Sequence, residues 1–415
     1  MAERADAAQL LRGDDLRAID ALSSADVLVG VCALNQARSA ARVVEAATAG
    51  LATALADWKG AVVVVEAGYR SETLDAVQSW MTARALPVPV RCVRITGPPR
   101  RSRAILGAMA IARRLGSAAC VLVNAGLTSL TPEGLACLAR PVLAETADCV
   151  GPAYTHTVAE GTLTTNLLAP LCRALYGRRV QQILGGCAAL CQRAAARLLE
   201  SEAWEGDLTE HAVEIGLVVE ALTSGDRVAE AHLGRKVLDT GLTAPDLATT
   251  LAQTVGPMFR LMDRHRAVWS EIAESTAVPR IGEPSSILPE AGDVPVDRMV
   301  RAFKLGLKDL VQVWEQALQE DTLAALYPLG LAPPEEFDFS ADHWARVVFD
   351  FAVAHHEQRL PRDLLLRALT PLYLGRVAAF LRDMHGQSPA RIPVALEAVG
   401  RAFEVEKTGL VARWR

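Results

Sequence analysis

The stretch Ala119-Cys120-Val121-Leu122-Val123-Asn124-Ala125-Gly126 decides how the fold of this 415-residue chain is interpreted. Five apolar residues are followed by an amide and two small residues, which is typical of a buried strand that ends in a turn. Three upstream runs share the pattern: Val27 to Leu34, Ala61 to Ala67 and Val88 to Ile95. Such runs predict strands of a parallel sheet that is covered on both faces.

Stretches of helical period alternate with these runs. The predicted helices are Ala37 to Leu55, Ser71 to Ala83, Arg103 to Leu115, Pro132 to Glu145 and Leu208 to Thr223. Weaker strand patterns occur at Cys149 to Tyr154, Gly186 to Leu190 and Val228 to Leu233. The alternation predicts an α/β domain.

The strand pattern stops near residue 240. One or two amphipathic helices are predicted over Ala244 to Ser275, followed by a Pro-rich linker and then helices alone. The later helices are Asp297 to Leu318, His343 to Gln358, Pro361 to Ala368, Leu374 to Met384 and Val394 to Phe403. We therefore expect an α/β domain over 1–240, bridging helices over 241–278, a linker over 279–296 and an all-α C-terminal module over 297–415.

Composition narrows the class of protein. A hydrophobic content of 51% with 22% charged residues indicates a well-packed globular chain. A net charge of -5 provides no field that would attract nucleic acid or an anionic membrane. Met1 to Asp26 lacks the apolar core of a signal peptide, and no spanning segment is found, so a cytoplasmic protein is expected. The eight cysteines form no Cys-x-x-Cys pair and are predicted to be reduced, buried thiols.

Two common nucleotide-binding motifs are missing from the sequence. A dinucleotide site needs Gly-x-Gly-x-x-Gly after the first strand, where this chain has Ala33-Leu34-Asn35-Gln36-Ala37-Arg38. A Walker loop is also absent. Polar residues nevertheless follow the predicted strands, at Glu66, at Asn124 and in the turn Pro98 to Arg103.

Several stretches, in their order and spacing, resemble a known family. They are Val29 to Arg38 (VGVCALNQAR), Ser129 to Glu133 (SLTPE), Pro170 to Arg179 (PLCRALYGRR), Gly185-Gly186, Trp204 to Asp207 (WEGD) and Leu369 to Arg376 (LTPLYLGR). Together they resemble the GT-A glycosyltransferases, and more narrowly the branch of mannosylglycerate synthase and glucosyl-3-phosphoglycerate synthase. The resemblance implies a mixed, nucleotide-sugar-binding sheet flanked by helices, a nucleotide-diphosphosugar donor, a small polar acceptor such as a glycerate, and a retaining outcome.

The family's metal ligands are replaced in this chain. The family carries Asp-x-Asp, which shares a divalent cation with the donor diphosphate, where this chain has Asn124-Ala125-Gly126. A histidine ligand of the family corresponds to the segment Arg235 to Asp239, in which Leu238 cannot bind a metal. The resemblance therefore implies that the usual Mg²⁺ or Mn²⁺ site is lost, and we expect no metal cofactor.

Other site residues follow from the resemblance. The turn at Ala33 and Glu66 would hold the nucleotide, Asn124 and Gly126 would contact the donor, and Gly185-Gly186 would lie near the sugar, where Cys187 replaces a polar residue. Asp207 would lie near the acceptor and the transferred sugar, as the candidate catalytic residue. The alternative for Asp207 is a plain helix N-cap, and for Glu66 a solvated strand end.

An arginine-rich turn offers a substitute for the metal. Arg100, Arg101 and Arg103 precede or open a predicted helix, where the dipole and free N–H groups favour phosphate. Arg235 and Lys236 could contribute in the same way. The alternative is an exposed basic turn with no ligand.

Two functions remain open from the sequence. The first is a glycosyltransferase that binds the diphosphate without a metal. The second is a pseudoenzyme that keeps the fold as a binding or scaffolding subunit, as a homodimer or beside an active paralogue. Because several ligand positions are changed together, lost or metal-independent activity is favoured over an ordinary metal-dependent transferase.

Overall fold

A computed structural model describes residues 7–201, 210–239, 246–283, 287–288 and 294–414. These residues form two compact units. The first contains 1–155, 184–244 and 278–285, and the second contains 156–183, 245–277 and 286–415, within the limits of the described ranges.

In the described ranges, seven strands lie near the positions that the sequence predicts, and four two-residue strands were not predicted. They are β1 (Val27–Ala33), β2 (Gly60–Glu66), β3 (Val90–Arg94), β4 (Ala119–Asn124), β5 (Cys149–Thr157), β6 (Arg178–Arg179), β7 (Cys187–Cys191), β8 (Val228–Arg235), β9 (Thr276–Ala277), β10 (Arg280–Ile281) and β11 (Ile287–Leu288). The main sheet has the order β10-β8-β5-β7-β4-β1-β2-β3. Strand β7 runs antiparallel to β4 and β5, and the other pairs are parallel. The predicted mixed α/β sheet is confirmed.

The helices occupy the predicted gaps and the C-terminal region. They are α1 (Ala7–Leu10), α2 (Gly13–Asp20), α3 (Ala40–Ala52), α4 (Glu72–Thr82), α5 (Arg101–Arg114), α6 (Pro132–Leu143), α7 (Ala169–Tyr176), α8 (Gln192–Glu200), α9 (Glu210–Thr223), α10 (Leu247–Arg264), α11 (Arg266–Trp269), α12 (Val296–Asp309), α13 (Val311–Ala317), α14 (Glu320–Ala324), α15 (Leu326–Leu331), α16 (Ala341–His356), α17 (Arg362–Ala368), α18 (Thr370–Met384) and α19 (Arg391–Arg413). A π-helical turn (Thr164–Leu168) precedes α7, and a 3-10 helix (Pro334–Glu336) precedes α16.

Both faces of the main sheet are buried, which explains its uninterrupted apolar strands. In β1, Val27, Val29 and Val31 pack into one cluster with α3 and α6. Leu28 and Cys32, which point the opposite way, pack into a second cluster with α5, α8 and α9. Every residue of β1 is buried, and the polar side chains of β2 and β4, Glu66 and Asn124, stand at the ends of these strands.

Helix α5 approaches β1 closely at Gly30. A Cβ atom added to Gly30 would lie 2.5 Å from the Cβ of Ala108. Only a glycine therefore lets α5 lie flat on the sheet at this point. The contact also fixes the N-terminal end of α5, and its arginines, near the carboxyl end of the sheet.

The second unit is predominantly helical and has an aromatic interior. Fully buried large side chains include Trp269, Trp314, Trp344, Phe303, Phe339, Phe349, Phe351 and Phe403. Its strands are short pairs: β6 with β9, and β11 with the last two residues of β5. An ion-pair cluster in which Arg173 bonds Glu397 and Glu404 ties α7 to α19.

The unit boundaries are not contiguous in sequence. Residues 156–183 group with the helical unit, and residues 278–285 group with the sheet through β10. The contiguous division at residues 240, 278 and 296 was drawn from patterns along the chain and stays a prediction. Part of the linker expected over 279–296 lies outside the described residues.

One helical stretch has the length and composition of a membrane span. Within the described ranges it covers Arg362–Met384, and 72% of its most apolar window is buried inside the protein. Burial of this kind is also shown by ordinary core helices. All eight cysteines are free, and five of them are fully buried, as expected for thiols in an apolar core.

The contact at Gly30 leads to a stability prediction. Gly30→Ala should lower the free energy of unfolding by about 1–3 kcal/mol, because the added methyl overlaps Ala108. Gly151→Ala in β5 is the matched control, since its Cβ would meet nothing within 4 Å. Urea denaturation measures both, and equal stability of the two variants would show that α5 does not need this glycine.

A buried histidine in the second unit predicts acid sensitivity. His355 is 2% exposed, and burial, with Arg362 and Arg260 nearby, lowers its pKa from 6.5 to about 4. Below pH 6.5 the unfolded chain therefore binds a proton that the folded chain does not, and stability falls by up to about 3 kcal/mol as the pH approaches 4. His355→Leu should remove this part of the pH dependence in denaturation measured from pH 7 to pH 4. An unchanged slope would contradict the assignment.

Candidate functional site

The carboxyl ends of the parallel strands bring the candidate residues to one edge of the sheet. Ala33, at the end of β1, is in register with Glu66 at the end of β2. On the other side Cys32 is in register with Asn124 at the end of β4. Cys187 begins the antiparallel strand β7 opposite Val123, so Gly185-Gly186 lie at the same edge. The predicted positions on β1, β2, β4 and β7 are thus neighbours in the fold.

A chain of amides with a fixed direction crosses this edge. The backbone N–H of Leu34 donates to Oε1 of Gln36 (3.1 Å), and Nε2 of Gln36 donates to Oδ1 of Asn124 (2.9 Å). The backbone N–H of Gly126 also donates to Oδ1 of Asn124 (2.8 Å). Because a backbone N–H can only donate, these bonds fix which atom of each amide is oxygen.

The amide chain leaves one donor without a partner. Asn124 is 4% exposed, and among the described residues its Nδ2 has no hydrogen-bond partner. Its oxygen already accepts two N–H groups, and an amide nitrogen does not bind Mg²⁺ or Mn²⁺. Asn124 therefore offers a donor, suited to a phosphate or hydroxyl oxygen, where a carboxylate would offer an acceptor.

The position of Gly126 is closed to a side chain. A Cβ atom there would lie closer than 3.0 Å to the carbonyl oxygen of Asp239 and to Nε2 of Gln36. The backbone N–H of Asp239 donates to the carbonyl of Gly126 (2.8 Å), and Leu238 forms a β-bridge with Leu127. The segment Arg235 to Asp239 thus covers the end of β4, and an aspartate at 126 would require this backbone to move.

Glu66 is completely buried, so its interpretation as a solvated strand end is wrong. Its Oε1 accepts the backbone N–H groups of Asn35 (3.3 Å) and Gly68. Its Oε2 is buried and has no partner among the described residues. Asn35 has a φ of 59°, a left-handed conformation that asparagine tolerates and that turns its N–H toward Glu66. One acceptor atom is therefore left at the end of β2.

The Gly185-Gly186 turn is held from several sides. Tyr154 donates its hydroxyl to the carbonyl of Gly185 (2.8 Å), and the carbonyl of Gly186 accepts the backbone N–H of Asn124 (2.7 Å). The N–H of Gly186 donates to Oε2 of Glu214 (3.3 Å). Gly186 has a φ of 73°, which a residue with a side chain rarely adopts. Hydrogen bonds therefore link this turn to the end of β4 and to Glu214 of helix α9.

Two side chains next to the Gly185-Gly186 turn, Cys187 and Tyr154, are uncharged. Burial raises the pKa of the Cys187 thiol to about 12, and burial also raises the pKa of Tyr154 well above 10. Both groups are therefore protonated and uncharged near neutral pH. Cys187 does not supply the negative charge that an acidic residue would bring to this position.

The three arginines of the predicted basic turn have different surroundings. Arg100 is exposed and stands at the N-cap of α5. Arg101 is buried and forms an ion pair with Glu214 (3.0 Å), while Arg103 donates from Nε and Nη2 to the carbonyl of Thr96 (3.1 and 2.7 Å). Phosphate binding by these side chains stays a prediction, and contacts within the protein already hold two of them.

Lys236 lies closer to the amide chain than its sequence position suggests. It follows the end of β8, is partly buried, and donates from Nζ to the carbonyl of Leu184 (2.8 Å). Its ammonium lies 5.6 Å from the ring centroid of Tyr154. Burial lowers its pKa, whereas Glu214 and Cys187 act to raise it.

Asp207, the candidate catalytic residue, lies outside the described residues, as does the Trp204 to Asp207 stretch. No group of three His, Cys, Asp or Glu side chains able to hold a metal occurs in the described part of the chain. The sequence does not predict the roles of Gln36, Tyr154 and Glu214, because they depend on contacts across the fold; Gln36 lies in the stretch Val29 to Arg38, which gives it no role of its own.

Comparison with known proteins gives matches only among solved structures. No protein-family model and no curated protein matches the chain. Glucosyl-3-phosphoglycerate synthase from Mycobacterium tuberculosis, in complex with Mn²⁺ and UDP-glucose, is 19% identical over 60% of this chain and 82% of that one, with a TM-score of 0.44. Mannosyl-3-phosphoglycerate synthase from Rubrobacter xylanophilus is 16% identical over 64% and 83%, with a TM-score of 0.43.

A third similar structure covers more of the chain. A mannosyltransferase from Pyrobaculum calidifontis, in complex with GDP-mannose and Mn²⁺, is 15% identical over 94% of this chain and 86% of that one, with a TM-score of 0.35. Because each of these three TM-scores is below 0.5, the α/β fold rests on the chain's own sheet topology, and nothing about its chemistry follows from the similarities.

The closed position at Gly126 gives a direct test. Gly126→Asp should lower the free energy of unfolding by at least about 1–3 kcal/mol, because its Cβ meets the carbonyl of Asp239. Asn124→Asp keeps an oxygen for both N–H donors and should lose less. Urea denaturation compares the two variants. A Gly126→Asp protein that is as stable as wild type and binds Mn²⁺ would show that the position is open.

Proposed function

We propose that this chain is a glycosyltransferase of the GT-A type that binds a nucleotide-diphosphosugar at the carboxyl edge of its sheet without a divalent cation. In this proposal Glu66 and the turn at Ala33 hold the nucleoside, Asn124 donates to a donor oxygen, and Gly185-Gly186 lie beside the sugar. Asp207 would position a small polar acceptor for hexosyl transfer. Phosphoglycerate is the first acceptor to test, because it occurs in complexes of glucosyl-3-phosphoglycerate synthase.

One observation carries the proposal. The sheet edge holds a buried acceptor, Oε2 of Glu66, and a buried donor, Nδ2 of Asn124, and neither has a partner among the described residues. A buried polar group without a hydrogen bond costs about 1–3 kcal/mol, and such groups are rare in folded proteins. A bound ligand with a donor at one end and an acceptor at the other would satisfy both atoms. A carboxylate facing a nucleobase N–H or a ribose hydroxyl, and an amide facing a phosphate, fit that description.

A binding experiment tests this function. In calorimetric titration with UDP- and GDP-sugars, at least one should bind equally well with EDTA and with Mn²⁺, because the described part of the chain has no group of three His, Cys, Asp or Glu side chains that could hold the ion. Glu66→Gln should weaken that binding about tenfold by replacing the free acceptor with a donor. Glu72→Gln, the same change at an exposed position in α4, is the matched control. Affinity that depends on Mn²⁺, or no affinity at all, would contradict the proposal.

The non-catalytic alternative has its own support. Closure of the Gly126 position and the pairing of Arg101 with Glu214 remove groups that a transferase would use on the diphosphate. The chain would then be a binding or scaffolding subunit, in a homodimer or with a paralogous partner. Release of UDP or GDP from a bound donor in the presence of phosphoglycerate favours the enzyme, and binding without release favours the subunit.

A further inference from the structure

We propose that the ammonium group of Lys236 binds the diphosphate of the donor, in place of a divalent cation. The inference rests on the proposed function, because it assigns the part of the ligand that the metal would otherwise neutralise. It concerns a side chain on the segment that covers the end of β4, where the family's histidine ligand is lost.

The position of Lys236 relative to Asn124 is the first argument. A Cβ atom placed on Gly186 would be 3.8 Å from Cβ of Asn124 and 4.0 Å from Cε of Lys236. The two side chains therefore lie near the same face of the turn, the face on which that Cβ would stand. Because Gly186 has no side chain, no Cβ fills this position, and an oxygen placed there would be near both.

The donor geometry is the second argument. An ammonium has three N–H donors, and among the described residues Leu184 is its only hydrogen-bond acceptor (2.8 Å). That bond anchors Lys236 beside the Gly185-Gly186 turn and leaves donors for phosphate oxygens. Asn124 adds the free N–H of Nδ2. Together they form a set of donors only, which suits an anion and does not suit a metal ion.

The charges around the turn are the third argument. Glu214, the acidic group that faces Lys236, is already shared between Arg101 (3.0 Å) and the N–H of Gly186 (3.3 Å). Cys187 and Tyr154 are uncharged, as described above. Among the described residues at the turn, the two cations Arg101 and Lys236 outnumber the one carboxylate, Glu214. Burial lowers the pKa of Lys236, so an incoming diphosphate that stabilises the charged form should raise it.

The inference predicts that Lys236 affects only ligands that carry the diphosphate. In the presence of EDTA, Lys236→Met should weaken UDP or GDP binding about tenfold or more, the loss expected for a charge-assisted hydrogen bond. Binding of uridine or guanosine should change less than about twofold. Lys236→Arg keeps the charge and should retain most of the UDP or GDP affinity. Lys59→Met is the matched control, because it makes the same change at an exposed residue just before β2, at the opposite end of the sheet.

A measurement on the wild-type protein does not depend on how the variants fold. NMR titration of ¹³Cε-labelled lysine follows the pKa of Lys236 with and without inorganic pyrophosphate. Pyrophosphate should raise the pKa of Lys236, and the resonance is assigned by its loss in the Lys236→Arg variant. A pKa that does not move, or equal losses of uridine and UDP affinity in Lys236→Met, would overturn the role of Lys236.

The outcomes separate this inference from the proposed function. If wild type binds UDP- or GDP-sugars without metal and Lys236→Met binds them equally well, the function stands and the role of Lys236 is wrong. If wild type binds neither the nucleosides nor their diphosphates, the proposed function fails and takes the inference with it. If UDP binds only with Mn²⁺, the proposed function and the role of Lys236 are both contradicted, because the ion then neutralises the diphosphate.

Discussion

The hydrogen bond from the backbone N–H of Gly126 to Oδ1 of Asn124 is the interaction on which the chemistry of the site depends. Since a backbone N–H only donates, it fixes the asparagine oxygen toward the turn and leaves the amide nitrogen as the free atom. The amide of Gln36 is oriented in the same way, because its oxygen accepts the N–H of Leu34 after β1 and its nitrogen donates to Asn124. The edge therefore presents a hydrogen-bond donor at this position, Nδ2 of Asn124.

The sheet places these atoms and explains why they are buried. Strand β1 is covered by α5 on one face and by α3 and α6 on the other, and the polar side chains of its neighbours β2 and β4 stand where those strands end. Parallel pairing brings those ends to one edge. Glu66 and Asn124 are consequently surrounded by protein, and a charge or donor left there without a partner is far more costly than on the surface.

Much of the fold follows from local sequence pattern, whereas much of the site does not. Apolar runs bounded by turn residues locate β1, β2 and β4 to within a residue or two, because strands buried on both faces need continuous hydrophobic residues. The absence of carboxylates at Asn124 and Gly126 is also visible in the sequence. The pairing of Arg101 with Glu214 and the approach of Lys236 to Gly186 join residues that are distant in sequence, so no spacing along the chain reveals them. The alternative of a solvated Glu66 is wrong because the residues that cover it, such as Asn35, are distant in sequence.

The central claim is that this edge holds a nucleotide-sugar without a protein-bound cation. Electron paramagnetic resonance of Mn²⁺ in the presence of UDP-glucose or GDP-mannose tests it most directly, because a protein-bound ion loses the sharp six-line signal of the hydrated one. The account predicts the same free-ion signal with and without the protein while the sugar nucleotide is bound. A protein-dependent loss of that signal, reversed by Asn124→Leu, would contradict it.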